Sequence, residues 1–385
     1  MFHVYLTLAY LYVLWRFIVP LPVSTGCRTV LAITLLVISK YHLILILVYG
    51  TMFSPEFPRA GVLVAGWLFC AFVLILVFTL LSDGGAGLLA LYRRRRLSAL
   101  ARGRVRSAIA VVALGLSALG VYQAVQVPEV RRLELTIKGL PSALDGMRIV
   151  QLTDLHISRL FQEDWVRQVV ARSNALEPDL VLITGDLIDG TVEARRQDVA
   201  PLSALKASRG VIAVPGNHEY YFDGPRWMAV FRQLGMQVLV NGHTVLGEGQ
   251  KALVVAGVTD EAAPAFGLEG PNLSQALQGV PAEAPIILLK HRPVGADQAA
   301  AAGVSLQLSG HTHGGMVKGL DLIARQANQG FVSGRYNIAG MTLYLSNGTG
   351  LWNGFPIRLG VPAEITEIVL RSHSPDEHSA RGVSP

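Results

Sequence analysis

Residues 180–189 read LVLITGDLID, an apolar run that closes on Gly185 and Asp186. Further apolar-rich runs, at 147–152, 211–214, 286–289 and 304–308, likewise lead within a few residues to Asp154, Asn217, His291 and His311. Short apolar runs closed by glycine or proline and separated by helix-length segments are typical of buried strands in an α/β sheet. Ligands of such sheets bind outside the carboxyl ends of the strands. We therefore predict an α/β fold that gathers the residues after these runs at one sheet edge.

The residues that follow these runs are carboxylates, histidines and one asparagine. They stand in Asp154-Leu155-His156, Gly185-Asp186, Gly216-Asn217-His218-Glu219, His291 and Gly310-His311-Thr312-His313. Carboxylate, imidazole and amide oxygen form a ligand set that suits manganese, iron or zinc. Asp154 and His156 are two residues apart, as are His311 and His313, so the two members of each pair face the same side of an extended backbone. The pattern predicts a two-metal site in which Asp186 can bridge both ions.

In this order the motifs resemble those of the calcineurin-like metallophosphoesterase superfamily, over residues 146–371. Residues 310–315 (GHTHGG), the tyrosine pair at 220–221 and residues 346–350 (SNGTG) are similar to its bacterial branch of membrane-associated or exported enzymes. Met316 departs from that branch, which often has glutamine there. The resemblance implies a four-layer αββα sandwich, in which two sheets pack face to face with helices outside.

The resemblance also implies a role for each matching residue. One divalent ion (manganese, iron or zinc) would be held by Asp154, His156, Asp186 and His313, and a second by Asp186, Asn217, His291 and His311. A hydroxide that bridges the two metals would attack a phosphoester or pyrophosphate bond. His218 would be a catalytic residue that is not a ligand and that protonates the leaving oxygen. Asp189 and Glu219 could orient ligands, and Arg159 could hold substrate.

Other interpretations of single residues remain open at this stage. His291 has no motif around it, and His243 is its rival, although turn residues enclose His243 and predict a loop. Asp189 could serve only to stabilise a turn, and Asp260 could reach the site or end a strand. Lys290 and Arg292 could hold a substrate phosphate, like Arg159, or form a solvated or salt-bridged surface.

The first third of the chain is hydrophobic in a different way. Residues 60–82 and 107–127 contain no charged residue, and each meets the roughly 20 residues needed to cross a bilayer. Residues 2–19 include Arg16 and residues 30–53 include Lys40, so these two segments could instead be interfacial or re-entrant helices. We predict a transmembrane region at 1–127 with about four α-helical spans.

Arginine predicts the orientation of that region. Between the last two spans, the loop 93–106 contains Arg93, Arg94, Arg95, Arg96, Arg102, Arg104 and Arg106. Short loops rich in Lys and Arg remain cytoplasmic, so the catalytic domain is expected on the extracytoplasmic side of an inner or plasma membrane. An anionic lipid headgroup, and no nucleic acid, is the expected partner of these arginines. Residues 128–145 are predicted to be a linker with an edge strand, and 372–385 a disordered tail.

Together these observations predict a membrane-anchored, dinuclear metal-dependent phosphoesterase. Its substrate would be a phosphorylated compound. A lipid phosphate at the membrane surface and a soluble phosphomonoester both fit this description. The alternative is a membrane sensor or scaffold whose metallophosphoesterase domain binds without turnover. Cys27 and Cys70 both lie in the membrane region, so cysteine usage does not assign the catalytic domain to a compartment.

Overall fold

The computed structural model describes residues 1–93, 98–249 and 252–372. The chain forms two compact units. Unit 1 contains Met1–Gln126 and Trp352–Leu359, and unit 2 contains Val127–Leu351 and the described chain from Gly360 onward. Of the predicted tail at 372–385, Ser372 ends the last strand and residues 373–385 lie outside the described residues.

Unit 1 is helical. Its helices are α1 (Phe2–Val13), α2 (Thr25–Ser39), α3 (Tyr41–Tyr49), α4 (Arg59–Arg93) and α5 (Ala99–Ala124). A π-helical turn at Leu14–Ile18 continues α1. Apolar side chains from α1, this turn, α2 and α4 form one cluster that includes Val13, Phe17, Leu35 and Phe72.

Two helices in the described part of the chain are long and apolar enough to cross a membrane, at Arg59–Leu89 in α4 and Ala101–Ala124 in α5. Helices α2 and α3 meet at Lys40 with a bend of 55°, and the pair counts as a third span only if it is treated as one broken helix. The first apolar helix, Phe2–Ile18, is shorter than a span requires. The predicted four spans are therefore not confirmed.

Of the arginines assigned to the loop 93–106, those that the structure describes lie in helix, at the end of α4 and in the first turns of α5. Helix α5 begins at Ala99, where the Ser98 side chain caps it by accepting a hydrogen bond from Ala101 N at 3.2 Å. Arg102, Arg104 and Arg106 are thus helical, because alanine, leucine and arginine favour helix and serine favours the N-cap. Residues 94–97 lie outside the described residues.

Trp352–Leu359 belongs to unit 1 although it falls within the predicted catalytic range 146–371. His42 Nε2 lies 2.9 Å from the main-chain oxygen of Gly354. Asn353 Nδ2 donates to Phe53 O at 3.0 Å. These contacts join residues about three hundred positions apart in sequence, so local patterns do not reveal them.

Unit 2 combines strands and short helices. The strands are β1 (Val130–Ile137), β2 (Arg148–Leu152), β3 (Leu180–Thr184), β4 (Val211–Val214), β5 (Gln237–Val238), β6 (Gly242–Leu246), β7 (Leu253–Gly257), β8 (Ile286–Leu289), β9 (Leu306–Ser309), β10 (Gly334–Ile338), β11 (Met341–Leu345) and β12 (Ile365–Ser372). The helices are α6 (Glu163–Asn174), α7 (Val192–Val199), α8 (Asn217–Tyr221), α9 (Gly224–Gln233), α10 (Leu273–Ala276), α11 (Ala296–Ala301) and α12 (Asp321–Ala327).

The strands form two mixed sheets. The first has the order β1-β12-β2-β3-β4-β5, in which β2 to β5 run parallel and β12 runs antiparallel to β2. The second has the order β10-β11-β9-β8-β7-β6, in which β11, β9, β8 and β7 run parallel. The predicted bounds of β3, β4 and β8 are confirmed, whereas β9 extends one residue beyond the predicted 304–308 and begins later.

The core of unit 2 lies between the sheets. Ile149, Leu182 and Val214 from the first sheet join Val255 and Leu308 from the second in a single buried cluster. The alternate side chains of β7 and β8 point the other way, where they pack against alanines of α10 and α11. This two-sided burial explains why the strands are continuously apolar in sequence.

Candidate metal centre

The loops after β2, β3, β4, β8 and β9 carry the predicted site residues. Main-chain hydrogen bonds hold these loops together, since Asp154 N donates to Gly185 O at 3.0 Å and Gly310 N donates to His291 O at 2.9 Å. His311 N also donates to the Asp154 carboxylate at 3.0 Å, which ties the loop after β9 to the loop after β2. The carboxyl ends of strands from both sheets therefore converge on one place.

Asp154, His156 and His313 form the first group of ligand-type side chains, and all three are buried. The Nε2 atoms of His156 and His313 are 3.2 Å apart. Asp154 Oδ1 lies 3.5 Å from His313 Nε2 and 3.8 Å from His156 Nε2. Three ligand atoms this close around one point are suited to one metal ion.

Asp186, His291 and His311 form the second group. Asp186 Oδ2 lies 3.1 Å from His291 Nε2 and 3.8 Å from His156 Nε2, which belongs to the first group. The ring centroids of His291 and His311 are 5.1 Å apart. The Asp186 carboxylate is thus close to histidine nitrogens of both groups, as a ligand shared by two metal ions would be.

Asn217 supplies an observation that independently favours a metal. Its side chain is buried, and its Oδ1 has no hydrogen-bond partner among the described residues. Its Nδ2 donates to the Tyr221 hydroxyl at 3.3 Å, which fixes the orientation of the amide. A buried carbonyl oxygen left unpaired costs roughly 1–3 kcal/mol, and a bound cation would remove that cost.

The backbone at the predicted ligands is strained. Five of them, none a glycine, have a positive φ: Asp154 (52°), His156 (44°), Asp186 (54°), His311 (74°) and His313 (50°). Non-glycine residues rarely adopt this conformation, which costs about 1–3 kcal/mol per residue and persists only where the surroundings enforce it. Strain concentrated on the candidate ligands is typical of a functional site.

Asp189 links the first group to His218. Its Oδ1 lies 3.3 Å from His156 Nδ1 and also bonds His218 Nδ1. A carboxylate on Nδ1 fixes the tautomer of an imidazole and turns its Nε2 toward the site. His218 Nε2 accordingly lies 3.9 Å from Asp186 Oδ2.

Glu219 holds the loops rather than facing the ligand atoms. Its fully buried carboxylate accepts main-chain hydrogen bonds from Asp186 N at 3.0 Å, Leu187 N at 2.7 Å and Gly216 N at 2.7 Å. Burial, with the nearby Asp186 charge, raises the pKa of Glu219 to about 7. The contacts of Glu219 therefore join the loop after β3 to the loop after β4.

The clustered charges shift the other titratable groups. Burial disfavours charged histidine, but the carboxylates of Asp186 and Asp189 outweigh it and raise the pKa of His218 to about 9. For His291, Asp186 likewise outweighs burial and raises the pKa to about 10. Burial followed by the His291 charge lowers the pKa of His311 well below its usual value. The protein's own carboxylates thus favour positive charge at His218 and His291, while His311 is held neutral.

The alternatives to these residues are engaged elsewhere. His243 lies in β6 and not in a loop, because pairing with β7 places it opposite Ala256, and its Nδ1 lies 2.8 Å from Ala276 O. Arg292 Nε donates to Asp260 Oδ2 at 3.0 Å, and Lys290 pairs with Glu261. Arg159 is half-buried, and its role as a substrate contact stays a prediction.

Sequence reasoning missed two supports of Asp154. The Thr153 hydroxyl donates to Asp154 Oδ2 at 2.8 Å. Gly350 N donates to the main-chain oxygen of Asp154 at 2.8 Å, which gives the segment 346–350 a structural role in the site. The contact with Thr153 could have been predicted from the sequence, because Thr153 directly precedes Asp154.

Comparison with known proteins agrees with this site. Residues 147–315 match the family model described as calcineurin-like phosphoesterase. The chain is 35% identical over 336 residues to a Bos taurus "transmembrane protein with metallophosphoesterase domain", with 82% of this chain and 75% of that protein covered. It is 34% identical over 259 residues to an "uncharacterized metallophosphoesterase" of Helicobacter pylori, with 67% and 68% covered.

Similarity to both a mammalian and a bacterial protein means that the predicted bacterial branch is not confirmed. The family match spans the loops that carry Asp154, Asp186, Asn217, His291 and His313, whose geometry is given above. From the matched model and the extent of similarity to these relatives, the chain belongs to the calcineurin-like phosphoesterase family.

Proposed function

We propose that the protein is a membrane-anchored phosphoesterase that uses two divalent metal ions to hydrolyse phosphoester or pyrophosphate bonds. The observation that carries this proposal is the pair of ligand groups with histidine nitrogens close to the Asp186 carboxylate. The family typically binds two divalent metals, and the histidine and aspartate clusters fit that number. The donor set of imidazole, carboxylate and amide oxygen suits manganese, iron or zinc.

Each metal has a proposed set of ligands. The first set is Asp154, His156, His313 and Asp186, and the second is Asp186, Asn217, His291 and His311. When bound, two such cations acidify a water molecule and offset the negative charge of the phosphoryl oxygens. The protein contributes rigidity, since main-chain hydrogen bonds and the Glu219 carboxylate fix the loops that carry the ligands.

His218 is the proposed proton donor. Asp189 bonds its Nδ1, and its Nε2 lies on the side of Asp186. The protein's own carboxylates raise its pKa to about 9 despite its burial, which favours the protonated form that a proton donor requires. Donating that proton to the leaving oxygen is worth about 10²–10⁴ in rate. Asp189 acts as a positioning residue, because its carboxylate contacts His156 and His218.

The hydrophobic helices support the membrane anchor. Helices α4 and α5 are long and apolar enough to span a bilayer, and the bovine relative is named a transmembrane protein. The arginines of residues 93–106, around the junction of these two helices, favour an extracytoplasmic catalytic domain on an inner or plasma membrane. Anchoring to a membrane favours a lipid phosphate or lipid-linked pyrophosphate as substrate. A soluble phosphomonoester would also fit the site.

The test is turnover by the full-length protein in detergent. The full chain is needed because Trp352–Leu359 belongs to unit 1. Metal-stripped protein would be supplied with manganese, iron or zinc and assayed on an aryl phosphomonoester, the matching diester and a lipid phosphate. We expect His218→Ala to lose about 10²–10⁴ in rate and Asp186→Asn to lose activity and metal. His243→Ala is the matched control and should keep both.

The binding-module alternative makes a different prediction. It requires protein that binds metal but hydrolyses none of these substrates with any of the three metals. Activity left unchanged by both His218→Ala and Asp186→Asn would show that hydrolysis occurs elsewhere. Either result would remove the proposed function.

A further inference from the structure

Unit 1 contains a polar cavity of about 420 Å³ among its apolar helices. Three arginines line it: Arg16 from the π-helical turn, and Arg102 and Arg106 from α5. Asp83 and Thr79 of α4 also line the cavity. Charged groups among membrane helices are costly, and they commonly mark a binding site or pathway.

The charges of this cavity are unbalanced. Arg16 donates to both carboxylate oxygens of Asp83, from Nε at 2.7 Å and from Nη2 at 2.8 Å. The Tyr12 hydroxyl also donates to Asp83, at 2.7 Å. In the lining as described, Asp83 is the only acidic residue, and Arg16 already neutralises it. The formal charge of the lining, three arginines against one carboxylate, is therefore positive.

Thr79 adds an independent observation. Its side chain is buried, with 4% of the residue exposed, and its Oγ1 lacks a hydrogen-bond partner in the described part of the chain. A threonine within a helix commonly bonds a carbonyl of the preceding turn. A buried hydroxyl without a partner beside a positively charged cavity is suited to a ligand with oxygen acceptors.

The cavity lies at one end of the two candidate spans. Asp83 is close to the end of the span Arg59–Leu89, and Arg102 is at the start of the span Ala101–Ala124. Lipid headgroups lie at this level of a bilayer. Arg106 is held in place, because its Nε donates to the main-chain oxygen of Arg16 at 3.1 Å.

We propose that this cavity binds one phosphate group, that of an anionic phospholipid headgroup or of free phosphate. Guanidinium groups match phosphate oxygens with paired hydrogen bonds, and basic pockets between membrane helices bind anionic headgroups. Arg102 and Arg106 supply the charge, and the Thr79 hydroxyl supplies a further donor. The site is separate from the metal centre, and this proposal stands whether or not the protein is an enzyme.

The experiment measures binding of fluorescent phosphatidylglycerol to the full-length protein in detergent, with phosphatidylcholine as the zwitterionic comparison. Arg106→Gln and Arg102→Gln should each weaken binding of phosphatidylglycerol about tenfold or more. Arg104→Gln is the matched control, because Arg104 is an exposed arginine of the same helix that does not line the cavity. Thr79→Val keeps the side-chain shape and should weaken binding severalfold.

The outcomes separate a built site from diffuse attraction. Saturable binding that depends on Arg102 and Arg106 but changes less than about twofold in Arg104→Gln supports the proposal. Equal losses in all three variants, or equal affinity for phosphatidylcholine, would overturn it. Displacement by sodium phosphate beyond that by sodium chloride at equal ionic strength would identify a site open to free phosphate. Displacement equal to that by sodium chloride would identify the lipid. Because Arg102 is exposed, its variant keeps the test valid if Arg106→Gln does not fold.

Discussion

Gly185 stands where the loops that carry three proposed ligands meet. Its φ is +90°, and a Cβ atom added there would lie 2.6 Å from Gly216 N, 2.7 Å from Gly216 Cα and 2.8 Å from His291 Nδ1. The substitution Gly185→Ala therefore introduces backbone strain and also forces apart the loops of Asp186, Asn217 and His291. It tests whether close packing of these loops builds the second metal site.

The expected cost has two parts. A left-handed conformation costs a residue with a Cβ about 1–2 kcal/mol, and overpacking a tight interior costs about 1–3 kcal/mol. Gly210 separates the two, because its φ is also +90° but a Cβ there would meet nothing within 4 Å. Gly210→Ala should therefore show the first cost alone, and the free energy of unfolding should fall about 1–3 kcal/mol further in Gly185→Ala.

The assay is thermal unfolding of both variants in detergent, with metal content measured on the same samples. For a domain of this size, 1 kcal/mol corresponds to roughly 2–4 °C. The unfolding midpoint of Gly185→Ala should thus lie about 2–12 °C below that of Gly210→Ala. Gly185→Ala should retain about one metal ion per chain and Gly210→Ala about two. Equal midpoints and equal metal content in the two variants would refute the reasoning.

Three further predictions concern other parts of the molecule. Asp189→Asn should lower kcat/KM about 10–100-fold, because it releases the two histidines that Asp189 contacts. The control variant Asp297→Asn, on α11, should leave kcat/KM unchanged. Equal kcat/KM in the two variants would show that Asp189 has no positioning role. Tyr344→Phe removes a buried hydrogen bond of 2.7 Å to Glu364. The free energy of unfolding should fall by about 1.5–3 kcal/mol, and the metal content should not change. Loss of metal would contradict a purely local role for this hydrogen bond. A reporter fused after Pro385 that is active only outside the cytoplasm should give signal, and signal from a cytoplasmic reporter instead would reverse the orientation.

The strands that carry the site were predictable for a physical reason. Burial on both faces makes β3, β4 and β8 continuously apolar, and each ends before a polar ligand-type residue. Parallel pairing of β3 with β4 brings Asp186 to the loop of Asn217 and His218, so that grouping follows from the strand pattern. His291 follows β8 of the other sheet, and its contact with Asp186 depends on the packing of the two sheets. The residue types and their positions at strand ends were nevertheless enough to predict which side chains form the candidate site.

Other features depend on contacts or conformations that side-chain identity does not encode. The edge strand β6 begins at Gly242, directly after Asn241, and Asn-Gly is typical of a turn. Only pairing with β7 makes the segment a strand. His156 and His311 have a positive φ, which histidine rarely adopts and which residue type therefore does not predict. By contrast, the start of α5 could have been predicted, because Ser98 precedes a run of helix-forming residues.

A metal titration tests the central claim most directly. Full-length protein stripped of metal would receive manganese in measured amounts, and hydrolysis of the preferred ester would be recorded together with the bound metal. The proposal of a dinuclear site predicts that activity rises to its maximum only as the second ion per chain binds, and that Asp186→Asn stays inactive throughout. Full activity at one ion per chain, or activity without added metal, would contradict it.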